Sequence, residues 1–95
     1  MEVRAVREHH IREMRHCVGL DYQKPRRGKY AAYRNYVCYN TPNYCWEHLV
    51  KCGYAALTIE DNEHYIPAKQ YIYRLTREGM DFLGAIIGAE ITEKD

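Results

Sequence analysis

Four cysteines and five histidines are the side chains best equipped for chemistry in this chain of 95 residues. Cys38, Cys45 and Cys52 recur at every seventh position, and His48 falls one helical turn after Cys45. Thiolate and imidazole together are zinc-ligand chemistry. However, no C-x-x-C pair is present, and Pro42 breaks the regular segment that would carry the spacing. A zinc site from Cys38, Cys45, His48 and Cys52 is therefore the lesser expectation. The cysteines, Cys17 included, read as mostly buried small apolar residues held as thiols. Nucleophilic catalysis needs a base and an orienting group within hydrogen-bond reach, and no local Cys, His and Asp spacing imposes that arrangement. His9, His10 and His16 beside Cys17 share one helix and point mostly in different directions. No glycine-rich phosphate loop or metalloprotease motif occurs. The expectation is a non-enzymatic protein with no catalytic residue, no metal and no cofactor.

Two other constellations suit binding. Lys24, Arg26, Arg27, Lys29 and Arg34 interleave with Tyr22, Tyr30, Tyr33 and Tyr36. Cations beside aromatic rings can pair with phosphate and stack on bases. Lys24, Arg26, Arg27, Lys29, Tyr30, Tyr33 and Arg34 are accordingly the nucleic-acid candidates. Further on, Glu60, Asp61 and Glu63 precede His64 and Tyr65, an acidic run that repels phosphate and suits a basic protein surface. Glu60, Asp61, Glu63, His64 and Tyr65 are the protein-binding candidates. The polarity extends over the whole chain. Residues 1–34 carry nine Lys/Arg against four acids, while the other 61 carry five against nine, within a net charge of +1. Such a dipolar surface fits an interaction protein.

The elements that must position these residues follow from periodicity. Val3, Val6, His10, Ile11, Met14, Cys17 and Val18 form one face of a helix from about Glu2 to Val18, ended by Gly19-Leu20. His10 reads as a core-edge histidine. Residues 21–29 read as a mobile basic loop. Tyr30 to Tyr39 mixes helical spacing of tyrosines with strand-favouring composition, and a short helix is predicted there. Thr41 as N-cap and Pro42 in the first turn open a third helix whose Trp46, Leu49 and Val50 are buried and which Gly53 ends. Leu57 and Ile59, then Tyr71, Tyr73 and Leu75, alternate as two strands of a hairpin. Thr76 caps a last helix with Met80, Phe82, Leu83, Ile86 and Ile87 on its apolar face, ended by Gly88. Residues 89–95 are expected to fray. No apolar run is long enough to span a membrane, and the charged start lacks a signal-peptide core, so a cytoplasmic location is expected.

The runs Trp46-Glu47-His48-Leu49-Val50-Lys51-Cys52-Gly53-Tyr54-Ala55 and Tyr73-Arg74-Leu75-Thr76-Arg77-Glu78-Gly79-Met80-Asp81-Phe82-Leu83 resemble the third helix and the strand-to-closing-helix passage of a winged-helix domain. The resemblance implies an α+β winged-helix-like fold over residues 1–88: three N-terminal helices, a two-stranded hairpin wing and a C-terminal helix. Gly19-Leu20-Asp21 with Tyr33-Arg34-Asn35-Tyr36 also resembles small bacteriophage or prophage proteins. That likeness implies a DNA-binding regulator or an inhibitor of host defence, including anti-CRISPR proteins. The third helix offers few cations and the wing three acids, which disfavours the usual winged-helix docking on DNA. A protein partner, such as a nucleic-acid-handling complex, is favoured over a DNA-binding regulator or nonspecific nucleic-acid binder. Homodimerisation is common among winged helices.

Overall fold

The computed structural model describes residues 5–64, 66 and 68–93, so Tyr65 and residues 2–4 of the expected first helix lie outside the described residues. Three helices and five strands run in the order α1 (Glu8–Cys17), β1 (Lys29–Ala32), β2 (Val37–Tyr39), α2 (Tyr44–Lys51), β3 (Ala55–Asp61), β4 (Lys69–Leu75), α3 (Arg77–Ile87) and β5 (Glu90–Glu93). Strands β2, β4 and β3 form an antiparallel sheet in that order, and β1 pairs with β5 in a second, parallel sheet. This corrects the winged-helix expectation. Among the described residues the second of its three N-terminal helices is absent, and two strands take its place: β1 in the parallel pair and β2 as a third strand beside the hairpin.

The correction turns on residues 30–39. Their tyrosines repeat at helical spacing, but non-local partners decide the outcome: Tyr30 sits opposite Ile91 and Val37 opposite Tyr73. In β1 the alternation buries Tyr30 and Ala32 and exposes Lys29 and Ala31. Residues 90–93 form β5 instead of a frayed end, because Ile91 is only 1% exposed and its strand completes the small sheet.

Elsewhere the local signals hold in part: residues 5–7 are not helical, and α1 starts at Glu8. Helix α1 ends in a left-handed Gly19, with Leu20 N–H donating to Arg15 O at 2.9 Å and Gly19 N–H to His16 O at 3.1 Å. Those two bonds are a Schellman cap. Helix α2 is capped by Asn43, whose side chain accepts from Trp46 N–H at 3.1 Å, and not by Thr41. Thr76 caps α3 as expected, accepting from Gly79 N–H at 3.1 Å and donating to Gly53 O at 2.7 Å. The hairpin β3–β4 runs in register from Ala55 opposite Leu75 to Asp61 opposite Lys69.

One core joins these layers. Helix α1 packs on α2, α3 and β4, while α3 covers β4 and β5. Met14, Trp46, Leu49, Tyr73 and Leu83 are fully buried at its centre. Tyr73 is held there by polar bonds: its hydroxyl donates to Glu47 Oε2 at 2.7 Å and accepts from Asn43 N–H at 3.0 Å. Of the cysteines, only Cys17 is fully buried, Cys45 and Cys52 are half-buried and Cys38 is exposed, so the expectation of mostly buried thiols holds in part.

Candidate nucleic-acid interface

The basic segment 21–29 ends in a hydrogen-bonded turn. Arg26 and Lys29 exchange two backbone hydrogen bonds, Arg26 N–H to Lys29 O at 2.8 Å and Lys29 N–H to Arg26 O at 3.0 Å. Between them Arg27 and Gly28 both have positive φ, 52° and 72°. A two-residue turn with both central residues left-handed is type I′, where Asn-Gly is the favoured pair. Arginine in that position carries a Cβ penalty that glycine or asparagine largely avoids. The turn thus holds Arg27 at its tip at a cost to the fold.

Around the turn, Tyr22, Gln23, Lys24, Pro25, Arg26, Lys29, Tyr30 and Ala31 line an open concavity of about 770 Å³. Lys24, Arg26, Arg27 and Lys29 are exposed, as is Tyr22 at 75%. None of the four cations forms an ion pair with a described residue; the exposed pairs are His16–Asp21 and Arg77–Asp81. Lys29 does face Glu90 across the parallel pairing, which tempers the positive field on that side.

Three of the sequence-predicted nucleic-acid residues are tied up in the fold. Tyr30 is buried and its hydroxyl donates to Val18 O at 2.7 Å; burial raises its pKa. Arg34 donates from Nη2 to His16 O at 2.5 Å. Tyr33 lies over Gly19, where a Cβ would fall 2.3 Å from the ring. All three therefore clamp the C-terminal turn of α1 to the start of the sheet. That clamp presents the turn 26–29 from a rigid base. Asn35, which sequence reasoning did not single out, completes it: its Oδ1 accepts Leu75 N–H at 2.9 Å and its Nδ2 donates to Leu75 O at 3.1 Å and Glu93 Oε1 at 2.9 Å.

The protein-binding candidates Glu60, Asp61, Glu63 and His64 are all exposed at the far end of the β3–β4 hairpin, and Tyr65 lies outside the described residues. They do not meet the basic turn in one site: Glu60 and Asp61 belong to the antiparallel sheet and Lys29 to the parallel one. Apolar side chains accompany the acids, with Ile59 51% and Ile66 fully exposed.

Two of the thiols are poor nucleophiles. Burial pushes the Cys17 thiol up to about 12, and burial followed by Glu13 pushes Cys45 up to about 11. Cys52 Sγ lies 3.7 Å from His48 Nε2, but that nitrogen is 2.7 Å from Ala5 O. A carbonyl only accepts, so His48 carries its proton on Nε2 and is no base for Cys52 there. The four residues of the zinc site weighed as the lesser expectation are not gathered: Cys38 contacts Gln70 on β4, whereas Cys45 meets His9 and His10 of α1.

Among the described residues, no helix is long and apolar enough to cross a membrane. Comparison with protein-family models, curated proteins and solved structures finds no match to this chain.

Proposed function

We propose that the protein is a non-enzymatic binding module that engages nucleic acid through the Arg26–Lys29 turn. The observation that carries this reading is Arg27, held left-handed with φ 52° at the tip of a turn whose other cations are exposed. Strain retained at one residue is characteristic of a position kept for what it contacts. Phosphate would meet Lys24, Arg26, Arg27 and Lys29, and Tyr22 would supply a face for base stacking. Contacts of this kind read charge and not sequence, so affinity is salt-sensitive and nonspecific. The test is Arg27→Asn. Asparagine accepts the left-handed conformation more readily, so the variant should be more stable by about 0.5–1 kcal/mol and yet bind oligonucleotides more weakly. Stability and binding moving in opposite directions separates a lost contact from a damaged fold. Unchanged oligonucleotide affinity in a stabilised variant would refute the reading.

A protein partner on the acidic hairpin is a second reading, favoured by exposed Ile59 beside Glu60 and Asp61 and by exposed Ile66 at the hairpin end. Apolar anchors rimmed by charge are typical of protein interfaces. Reversing Glu60, Asp61 and Glu63 to Lys should then slow association with a partner recovered from nuclease-treated lysate. An unchanged association rate would leave the acids as solubilising residues.

A further inference from the structure

His9 and His10 of α1 and Cys45 of α2 bring their ligand atoms within 4.8 Å of one another. His10 is only 6% exposed, Cys45 is half-buried, and His9 is exposed at the mouth of the group. We propose that these three side chains form a binding site for a borderline divalent transition-metal ion, with zinc as the best match. Two imidazoles and a thiolate select zinc and its neighbours over magnesium or calcium, which prefer oxygen. Tetrahedral bond lengths of about 2.0–2.1 Å to nitrogen and 2.3 Å to sulfur place neighbouring ligand atoms roughly 3.5 Å apart. The group therefore has up to about an ångström to close, by rotation of the exposed His9 and the half-buried Cys45 toward His10. Glu13 lies close enough to act electrostatically on Cys45 and favours a cation, while Arg7 and His48 beside His10 oppose one. Three protein ligands leave the fourth position for water.

Loading the site changes the start of α1. His10 Nδ1 accepts the Arg7 backbone N–H at 2.9 Å, a bond that caps the helix. A neutral imidazole has one free lone pair. Ligation through Nδ1 uses it directly, and ligation through Nε2 moves the ring proton onto Nδ1. Either way Arg7 N–H loses its acceptor. One proton leaves, from the Cys45 thiol, as the metal–sulfur bond forms. Metal binding is thus linked to loss of the Arg7 N–H bond, while Arg7 O still accepts from His10 and Ile11 N–H.

Cobalt provides a spectroscopic probe. Chelator-treated protein titrated with Co²⁺ should develop a thiolate-to-cobalt charge-transfer band at one equivalent, and Zn²⁺ should displace it. Cys45→Ser and His9→Asn should abolish the band; His9 is exposed, so its replacement leaves the core intact. Cys38→Ser should not affect it. By nuclear magnetic resonance, stoichiometric Zn²⁺ should accelerate hydrogen exchange at the Arg7 amide. No band in the wild-type protein, a band that survives Cys45→Ser, or an Arg7 amide unmoved by Zn²⁺ would overturn the proposal.

Discussion

Cys17, Tyr39 and Tyr73 hold protons that the same groups would lose more readily in water. Burial is the first cause for each, reinforced by Glu13 at Tyr39 and by the Glu47 hydrogen bond at Tyr73, and each is pushed up to about 12. A group whose pKa is raised by folding contributes stability that is fully present below its unfolded value, here 9.0 for cysteine and 10.0 for tyrosine, and lost as pH climbs through the folded one. The thermal midpoint should therefore fall between pH 9 and 12, and Cys17→Ala should shrink the part of that fall that begins at pH 9, leaving the share that Cys45 contributes there. A midpoint flat over this range would contradict the burial of these groups. At this scale the sequence separated exposed Lys24, Arg26, Arg27 and Lys29 from the rest by composition alone. It could not separate Tyr30, Tyr33 and Arg34, because their partners are backbone atoms at the end of α1, whose position only the fold defines. His9, His10 and Cys45 were hidden for the same reason, since two helices distant in sequence bring them together.

Elements with a strong local signal were legible: α2 and the β3–β4 hairpin follow from 3.6- or two-residue periodicity and α3 from periodicity and its Thr76 cap, although the cap of α2 is Asn43, two residues later than the expected Thr41. Short strands were not. A four-residue strand such as β1 or β5 shows barely two alternations, and its stability comes from its distant partner. Asn35 makes that dependence testable, because it stands in for a strand partner at Leu75 and ties the antiparallel sheet to Glu93 of β5. Asn35→Asp keeps the acceptor for Leu75 N–H but strips both donor bonds and sets a carboxylate against Glu93. We expect a loss of about 1–2 kcal/mol in chemical denaturation, since Asn35 is half-buried and its bond to Glu93 exposed, which leaves the Leu75 carbonyl without its donor as the main cost. Asn35→Ala should also remove protection of the Leu75 amide. A loss below about 0.5 kcal/mol for Asn35→Asp, within the range of an ordinary surface change, would show that the two sheets are joined by other means.

Over the whole molecule, Lys24, Arg26, Arg27 and Lys29 cluster on the segment leading into β1 and Glu60, Asp61 and Glu63 at the end of the β3–β4 hairpin, while β5 sets Glu90 and Glu93 beside β1. The chain extends 45 × 38 × 19 Å, flat enough to offer broad faces to an extended ligand. The acidic hairpin should weaken the approach of a polyanion, so reversing Glu60, Asp61 and Glu63 to Lys should raise oligonucleotide affinity. The Glu60 and Glu63 changes should each alter stability by about 0.5 kcal/mol or less, while Asp61→Lys sets a lysine opposite Lys69 and should cost up to about 1 kcal/mol. An unchanged affinity would place the hairpin beyond the reach of the bound strand. The central claim, that the Arg26–Lys29 turn binds phosphate, is tested most directly by the salt dependence of oligonucleotide binding, measured by fluorescence anisotropy for the wild type and for the combined Arg26→Ala, Arg27→Ala, Lys29→Ala variant. The wild type should bind mixed-sequence oligonucleotides with a steep log–log salt slope, and the variant should lose about 0.7 of that slope per phosphate contact on a single strand, or about 0.9 on duplex DNA. Equal slopes and equal affinities in the two proteins would contradict it.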